Sequence, residues 1–187
     1  MKKFSLALVS LFFVGSVSAA EYTIDPTHTF PNFTISHLGF STMHGTFTGT
    51  KGKLMMDQSA GTGSVDITID ASSVFTGFGK RDDHLRSPDF FNVVEFPNIT
   101  FKSTSVKFNG MSSAKVMGDL TIMGVSKPVT LDVDKITCGK HPFNPKINEV
   151  CGFNATTSIK RSEFGVKYGL PAIGDDVMIM LEVEATR

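Results

Sequence analysis

Between Ser64 and Ala71 the chain reads SVDITIDA, with Val65, Ile67 and Ile69 alternating against Asp66, Thr68 and Asp70. A period of two puts each set on its own face of a β-strand, so that one face seeks a core and the other water. The same rhythm closes the chain, where Val177, Ile179, Leu181 and Val183 of VMIMLEVEA share a face. It also runs through 22–37, 45–57, 98–108, 114–122, 127–137 and 151–160. Clusters of Gly, Asn and Ser at 61–64, 109–113 and 123–127 punctuate these stretches. The pattern predicts about eight strands joined mostly by short turns, with no alternation of strand and helix.

Eight antiparallel strands can form a sandwich or close into an up-and-down barrel. Closure removes exposed edges and leaves an interior just wide enough for side chains or one slender ligand. All but three of the 17 phenylalanines lie beyond residue 20 and tryptophan is absent, which suits a smooth apolar interior. Alternating phenylalanines fill a core as readily as they line a cavity, and both readings stay open at this level. A membrane-spanning barrel fits poorly, because it would carry aromatic girdles and one long-looped side. Here Tyr22 and Tyr168 are the only tyrosines, and the loops are short at both ends.

The first residues, MKKFSLALVSLFFVGSVSAA, have two lysines, an apolar run from Phe4 to Val17 and small residues up to Ala20. That is the grammar of a cleaved export signal, with the cut expected near Ala20 and a single domain over 21–187. The apolar run falls short of the roughly 20 residues that cross a bilayer as a helix. Export would deliver the chain to the periplasm, an oxidising space, and there the two cysteines, Cys138 and Cys151, are expected to form a disulfide across the intervening loop. Charge is balanced and scattered, 18 basic residues against 18 acidic, so the chain lacks the basic face that a nucleic acid requires.

One stretch breaks the rhythm. RDDHLRSPDFF, Arg81 to Phe91, sits in the longest departure from alternation. Lys80 to Arg86 suits a short helix that Pro88 would stop. Leu85, Phe90, Phe91 and Phe96 supply apolar faces beneath it. The segment reads either as a lid over one barrel end or as a turn with a solvated charged face.

The histidines His28, His37, His44, His84 and His141, with Asp25 and Asp82, raise the question of zinc. No pair has an HExxH or helical spacing, and a strand places only i, i+2 neighbours on one face, so no metal site is expected. No G-x-S-x-G motif or activated thiol is evident, so no catalytic residue is expected either.

Several segments taken in order carry a family resemblance: YTIDPTHTFPNFTISHLGF at 22–40, GTFTGTKG at 45–52, RDDHLRSPDFFNVVEFPNITFKSTSV at 81–106, GDLTIMGVSKPVTL at 118–131 and SIKRSEFGVKYGLPAIGDDVMIMLEVEA at 158–185. Across the chain beyond the signal the sequence resembles the YceI-like family of exported polyisoprenoid-binding proteins. The resemblance implies an all-β fold, an extended eight-stranded antiparallel lipocalin-like barrel with a short helical insertion near 79–90. It further implies a tunnel that holds a polyisoprenoid lipid or ubiquinone, or another long-chain amphiphile, as ligand, with no other cofactor required. A homodimer and transient membrane contact are further expectations.

The strand phases and the resemblance together nominate ligand-contacting residues. These are Phe33, Ile35, His37, Phe40, Phe47, Ile67, Ile69, Ile99, Phe101, Leu120, Phe153, Ile179 and Leu181 on the wall, and Arg81, His84, Leu85, Phe90 and Phe91 at the lid. Arg81 or His84 is expected either to meet the lipid head or to tie the lid to the barrel rim, the arginine through a carboxylate such as Asp82 or Asp89. Pro31, where the family continues its first strand, is expected to introduce a bulge.

Overall fold

A computed structural model describes residues 19–187; the proposed export signal, residues 1–20, lies almost wholly outside the described residues. The strands are β1 (Ala20–Ile24), β2 (Phe30–His37), β3 (Ser41–Phe47), β4 (Thr50–Asp57), β5 (Thr62–Asp70), β6 (Val74–Phe75), β7 (Asn98–Asn109), β8 (Ser113–Ile122), β9 (Val125–Gly139), β10 (Val150–Lys160) and β11 (Ile173–Thr186). One helix, α1 (Gly79–Arg86), falls in the β6–β7 connection, where the sequence departs from alternation.

These segments form one closed, eight-stranded antiparallel barrel, because the first three strands are each interrupted once. β1 and β2 run along the same edge of β11: Ile24 pairs with Ala185, and Phe30 with Glu182. β4 pairs with β1 and β3 with β2, so β3 and β4 are likewise one strand broken at Thr48–Gly49. β5 and β6 continue that pattern across the short helical turn Ala71–Ser73. From there β7, β8, β9, β10 and β11 follow in order, each beside the last. Most connections are tight. Between Ile122 and Val125, Met123 and Gly124 both have positive φ (49° and 72°), the twist that a two-residue hairpin needs.

The expected bulge at Pro31 is not where the first strand breaks. Pro31 sits within β2 opposite Leu181, and the interruption is upstream, at 25–29. There Asp25 turns the chain: its carboxylate accepts from the Thr27 backbone N–H at 2.8 Å and meets His28 Nδ1 at 2.9 Å. Thr29, 1% exposed, continues the ladder with its side chain, accepting from Glu184 N at 3.2 Å.

The two barrel ends differ. One carries loops 58–61, 110–112 and 140–149, and is filled by Tyr22, Ile24, Leu54, Cys151 and Ala185. Cys138 and Cys151, direct register partners on β9 and β10, are joined by a disulfide there, as expected. Tyr22 donates to Glu149 at 2.6 Å, and burial together with that carboxylate pushes its hydroxyl up to about 12. The other end carries the 38–40 turn, α1 and the 161–172 connection.

Two outcomes follow. Burial alone would raise the Asp25 carboxyl, but hydrogen bonds from His28 and Thr27 outweigh it and hold the group at about 2. A depressed carboxylate stabilises the fold above its unfolded value and loses that contribution as pH falls through the folded value. The Tm should therefore drop on acidification toward pH about 2, and Asp25→Asn should flatten that slope in thermal melts read by circular dichroism. Replacing Cys138 by Ser should cost about 3 kcal/mol in urea unfolding, the loop-closure contribution for a ring of this length.

Candidate functional site

The barrel interior holds a cavity of about 430 Å³ that reaches from the filled end to α1, and its lining is almost wholly apolar. Every barrel wall contributes. Phe33 and Ile35 come from β2, Phe47 from β3, Ile67 and Ile69 from β5, Ile99 and Phe101 from β7, Leu120 and Val116 from β8, Phe153 from β10, and Ile179 and Leu181 from β11. His37 lines the same space at the end of β2. The wall residues nominated from the sequence therefore converge, with one exception.

Phe40 does not. It is 89% exposed and absent from the lining. His37 pairs with Ser41, and the chain between them turns through Leu38 and Gly39, both at positive φ, which throws Phe40 outward. Parity breaks in a turn, and the alternation of the preceding strand does not carry through it.

Other lining residues escaped the sequence reading for a related reason. In β7 the register shifts between Ser103 and Ser105, so the inward set changes from Ile99 and Phe101 to Val106 and Phe108. The Ser103 hydroxyl accepts from Val65 N at 2.8 Å, satisfying backbone left unpaired by the bulge. A second shift, opposite Asn154 and Ala155, changes the inward set of β9 from Val133 to Ile136. A bulge adds one residue and reverses every later side chain.

The lid segment meets the wall through rings. Phe33 lies 5.8 Å from Phe47, and Phe47 lies 5.4 Å from Phe91 at a steep angle, so β2, β3 and the chain after α1 share one aromatic contact path. Phe33 has room because Gly45 faces it: a Cβ at residue 45 would sit 2.2 Å from the ring. Phe90, 8% exposed, packs edge-on against His84 at 5.0 Å, and Tyr168 of the 161–172 connection covers both.

Polar groups collect at this end. Arg81 and His84, three apart on α1, both line the cavity with Leu85. Arg81 donates from Nε to Thr76 Oγ1 and from Nη2 to Thr76 O, each at 2.7 Å. Thr76 in turn bonds to the buried Asp82 through both its hydroxyl and its backbone N–H. Arg81 is thus tethered through a threonine, not through the ion pair with Asp82 or Asp89 that the sequence suggested. Asp89 instead meets His84 Nε2 at 2.8 Å. No ion pair among the described residues uses Arg81, so its charge faces the cavity mouth without a carboxylate partner.

Arg161, 6% exposed, holds the opposite side of this end. It donates to the carbonyls of Gly174, Val166 and Ile173 at 2.7, 3.0 and 3.0 Å, and burial lowers its pKa. Among the described residues, His28 is the histidine that joins a potential metal-ligand group, with Asp25 and Glu184, away from the tunnel lining.

The sequence model of the YceI-like domain matches residues 22–185, nearly the whole described barrel. The chain belongs to the YceI-like family. A YceI protein of Escherichia coli O17:K52:H18 is 40% identical over 100% of this chain and 99% of its own. The YCEI protein of Campylobacter jejuni superposes with a TM-score of 0.72 at 27% identity, covering 100% of this chain and 99% of that one. A polyisoprenoid-binding domain from Saccharophagus degradans shares the fold, with a TM-score of 0.64 at 18% identity over 88% of this chain and 97% of its own. This YceI-like chain therefore has the family's barrel from end to end, with the apolar cavity as its interior.

Phe47 and Phe40 provide a direct contrast. Phe47→Ala should lower stability by about 3–5 kcal/mol, the usual cost of deleting a buried aromatic ring. Phe40→Ala should stay within about 0.5 kcal/mol of the parent. Urea unfolding of the two variants measures both.

Proposed function

We propose that this protein is an exported lipid-binding barrel of the periplasm, which carries an isoprenoid-tailed lipid, a polyprenyl compound or a ubiquinone, in its tunnel. The observation that carries this reading is the long apolar cavity, lined from every side and lidded at one end. The polyisoprenoid-binding domain that shares the fold supports it.

The energetics favour a chain-like ligand. Each buried methylene contributes about 0.8 kcal/mol, so a tail of several isoprene units supplies ample gross stabilisation without polar recognition. Ordering the chain and the loss of its free motion offset much of that gain. Tunnel width and length then select the tail, and polar groups at the mouth select the head.

The lid-end groups divide those tasks. Leu85, Phe90 and Phe91 close the apolar path, while Arg81 presents a guanidinium fork suited to a phosphate. Leu38, Phe40, Phe75 and Phe78, all substantially exposed at this end, suit brief contact with a bilayer surface while a lipid passes in or out. This is a binding role, and no catalytic step is part of it.

Organic extraction of the purified protein followed by mass spectrometry tests the reading, with a prenyl lipid expected and its absence at stoichiometric level counting against it. Arg81→Ala should weaken a phosphate-headed prenyl lipid by about ten- to a hundredfold while sparing the bare polyprenyl alcohol, because a charge-assisted bond is worth about 1.5–3 kcal/mol. Leu85→Ala should speed exchange of both. Fluorescent-lipid displacement reads all three proteins, and unchanged rates in both variants would remove α1 from the gate.

A further inference from the structure

Thr50 is the one residue whose buried side-chain polar atom has no hydrogen-bond partner among the described residues. It is 3% exposed and lines the cavity. Its position is set by the fold: it opens β4, directly after the Thr48–Gly49 break, in register with Ile69. Thr29, the other deeply buried threonine of the lining, is different, since its hydroxyl already exchanges bonds with the Glu184 backbone at 3.2 and 3.3 Å.

A buried hydroxyl without a partner is costly, and replacing it by an apolar group of the same shape would be favourable. A solitary water would satisfy it poorly, because a buried water is held by two to four polar partners. The tunnel's cationic groups, Arg81 and Arg161, sit on the lid-end elements α1 and the turn Arg161–Phe164, not on β4. A charged ligand group beside Thr50 would lack a counter-charge. An uncharged oxygen would not need one, and the hydroxyl can donate to it.

We propose that Thr50 Oγ1 donates a hydrogen bond to one uncharged, oxygen-bearing group of the ligand, such as a ketone, quinone or ester carbonyl, seated inside the tunnel away from the charged mouth. This rests on the lipid-tunnel reading and narrows it: the ligand is an oxygenated amphiphile, not an unbroken hydrocarbon, and an anionic head belongs at Arg81 and not at Thr50.

The test compares a long-chain ketone with its carbonyl at mid-chain and the alkane of the same length, each displacing a fluorescent fatty probe from the delipidated protein. The parent and Thr50→Ser should favour the ketone, relative to Thr50→Val, by about three- to tenfold, the effect of one neutral hydrogen bond. Val matches Thr in shape and suits a strand, so Thr50→Val should fold; thermal melts check it. A ketone preference that survives in Thr50→Val, or equal ketone-to-alkane ratios in the parent and Thr50→Ser as in Thr50→Val, overturns the inference while leaving the lipid tunnel intact. Should Thr50→Val fail to fold, a parent protein and Thr50→Ser with no more preference for the ketone than the two compounds' partitioning into hexadecane also overturns it. A parent protein that takes up neither compound nor the probe overturns the tunnel reading itself, and this inference with it.

Discussion

The fold depends on a seam. β11 is 14 residues long, and its outer edge is shared by β1 at its C-terminal end and β2 along the rest. Without that edge-to-edge closure the sheet would expose a long unpaired ladder and its apolar face, both routes to aggregation. Only two register pairs join β1 to β11, so Asp25, His28 and Thr29 matter beyond their size: their hydrogen bonds let one strand hand over to the next without leaving the seam open.

Once closed, the barrel fixes which surfaces can do what. Apolar residues from all sides converge on one interior space. The β6–β7 connection is then the natural place for a cover, since it leaves the wall and returns to it at the same end. Its fastening is polar and local: Arg86 donates to the carbonyls of Ser72 and Val74 at 2.7 and 3.1 Å, and Thr76 links Arg81 to Asp82. Its contact with the wall is apolar and aromatic.

Much of this was legible in the amino-acid order. Alternation alone identified the inward faces of β5, β8, β10 and β11, because those strands run without a change of phase over the residues concerned. It failed where the chain inserts a residue, as in β7 beyond Ser103, and where it turns, as at Phe40. Those failures share a cause: periodicity is a local signal, and a bulge or turn is decided by pairing with distant chain. The helix at 79–86 was readable from its composition and Pro88, but not its tether, since Thr76 and Asp82 are ordinary residues until folding brings them together and buries the aspartate. Thr50 gave no signal either. A threonine in a strand is unremarkable until every neighbour is seen to leave its hydroxyl alone.

The disulfide has a meaning apart from the size of the loop it closes. Cys138 and Cys151 stand directly opposite one another, so β9 and β10 cannot slide by a residue while the bond is intact. A one-residue slip would turn Phe153 and Ala155 out to water and bring their polar neighbours in. The bond is thus an index mark between two strands: it sits at the end farthest from the cover, yet it dictates which side chains a lipid would meet along that wall.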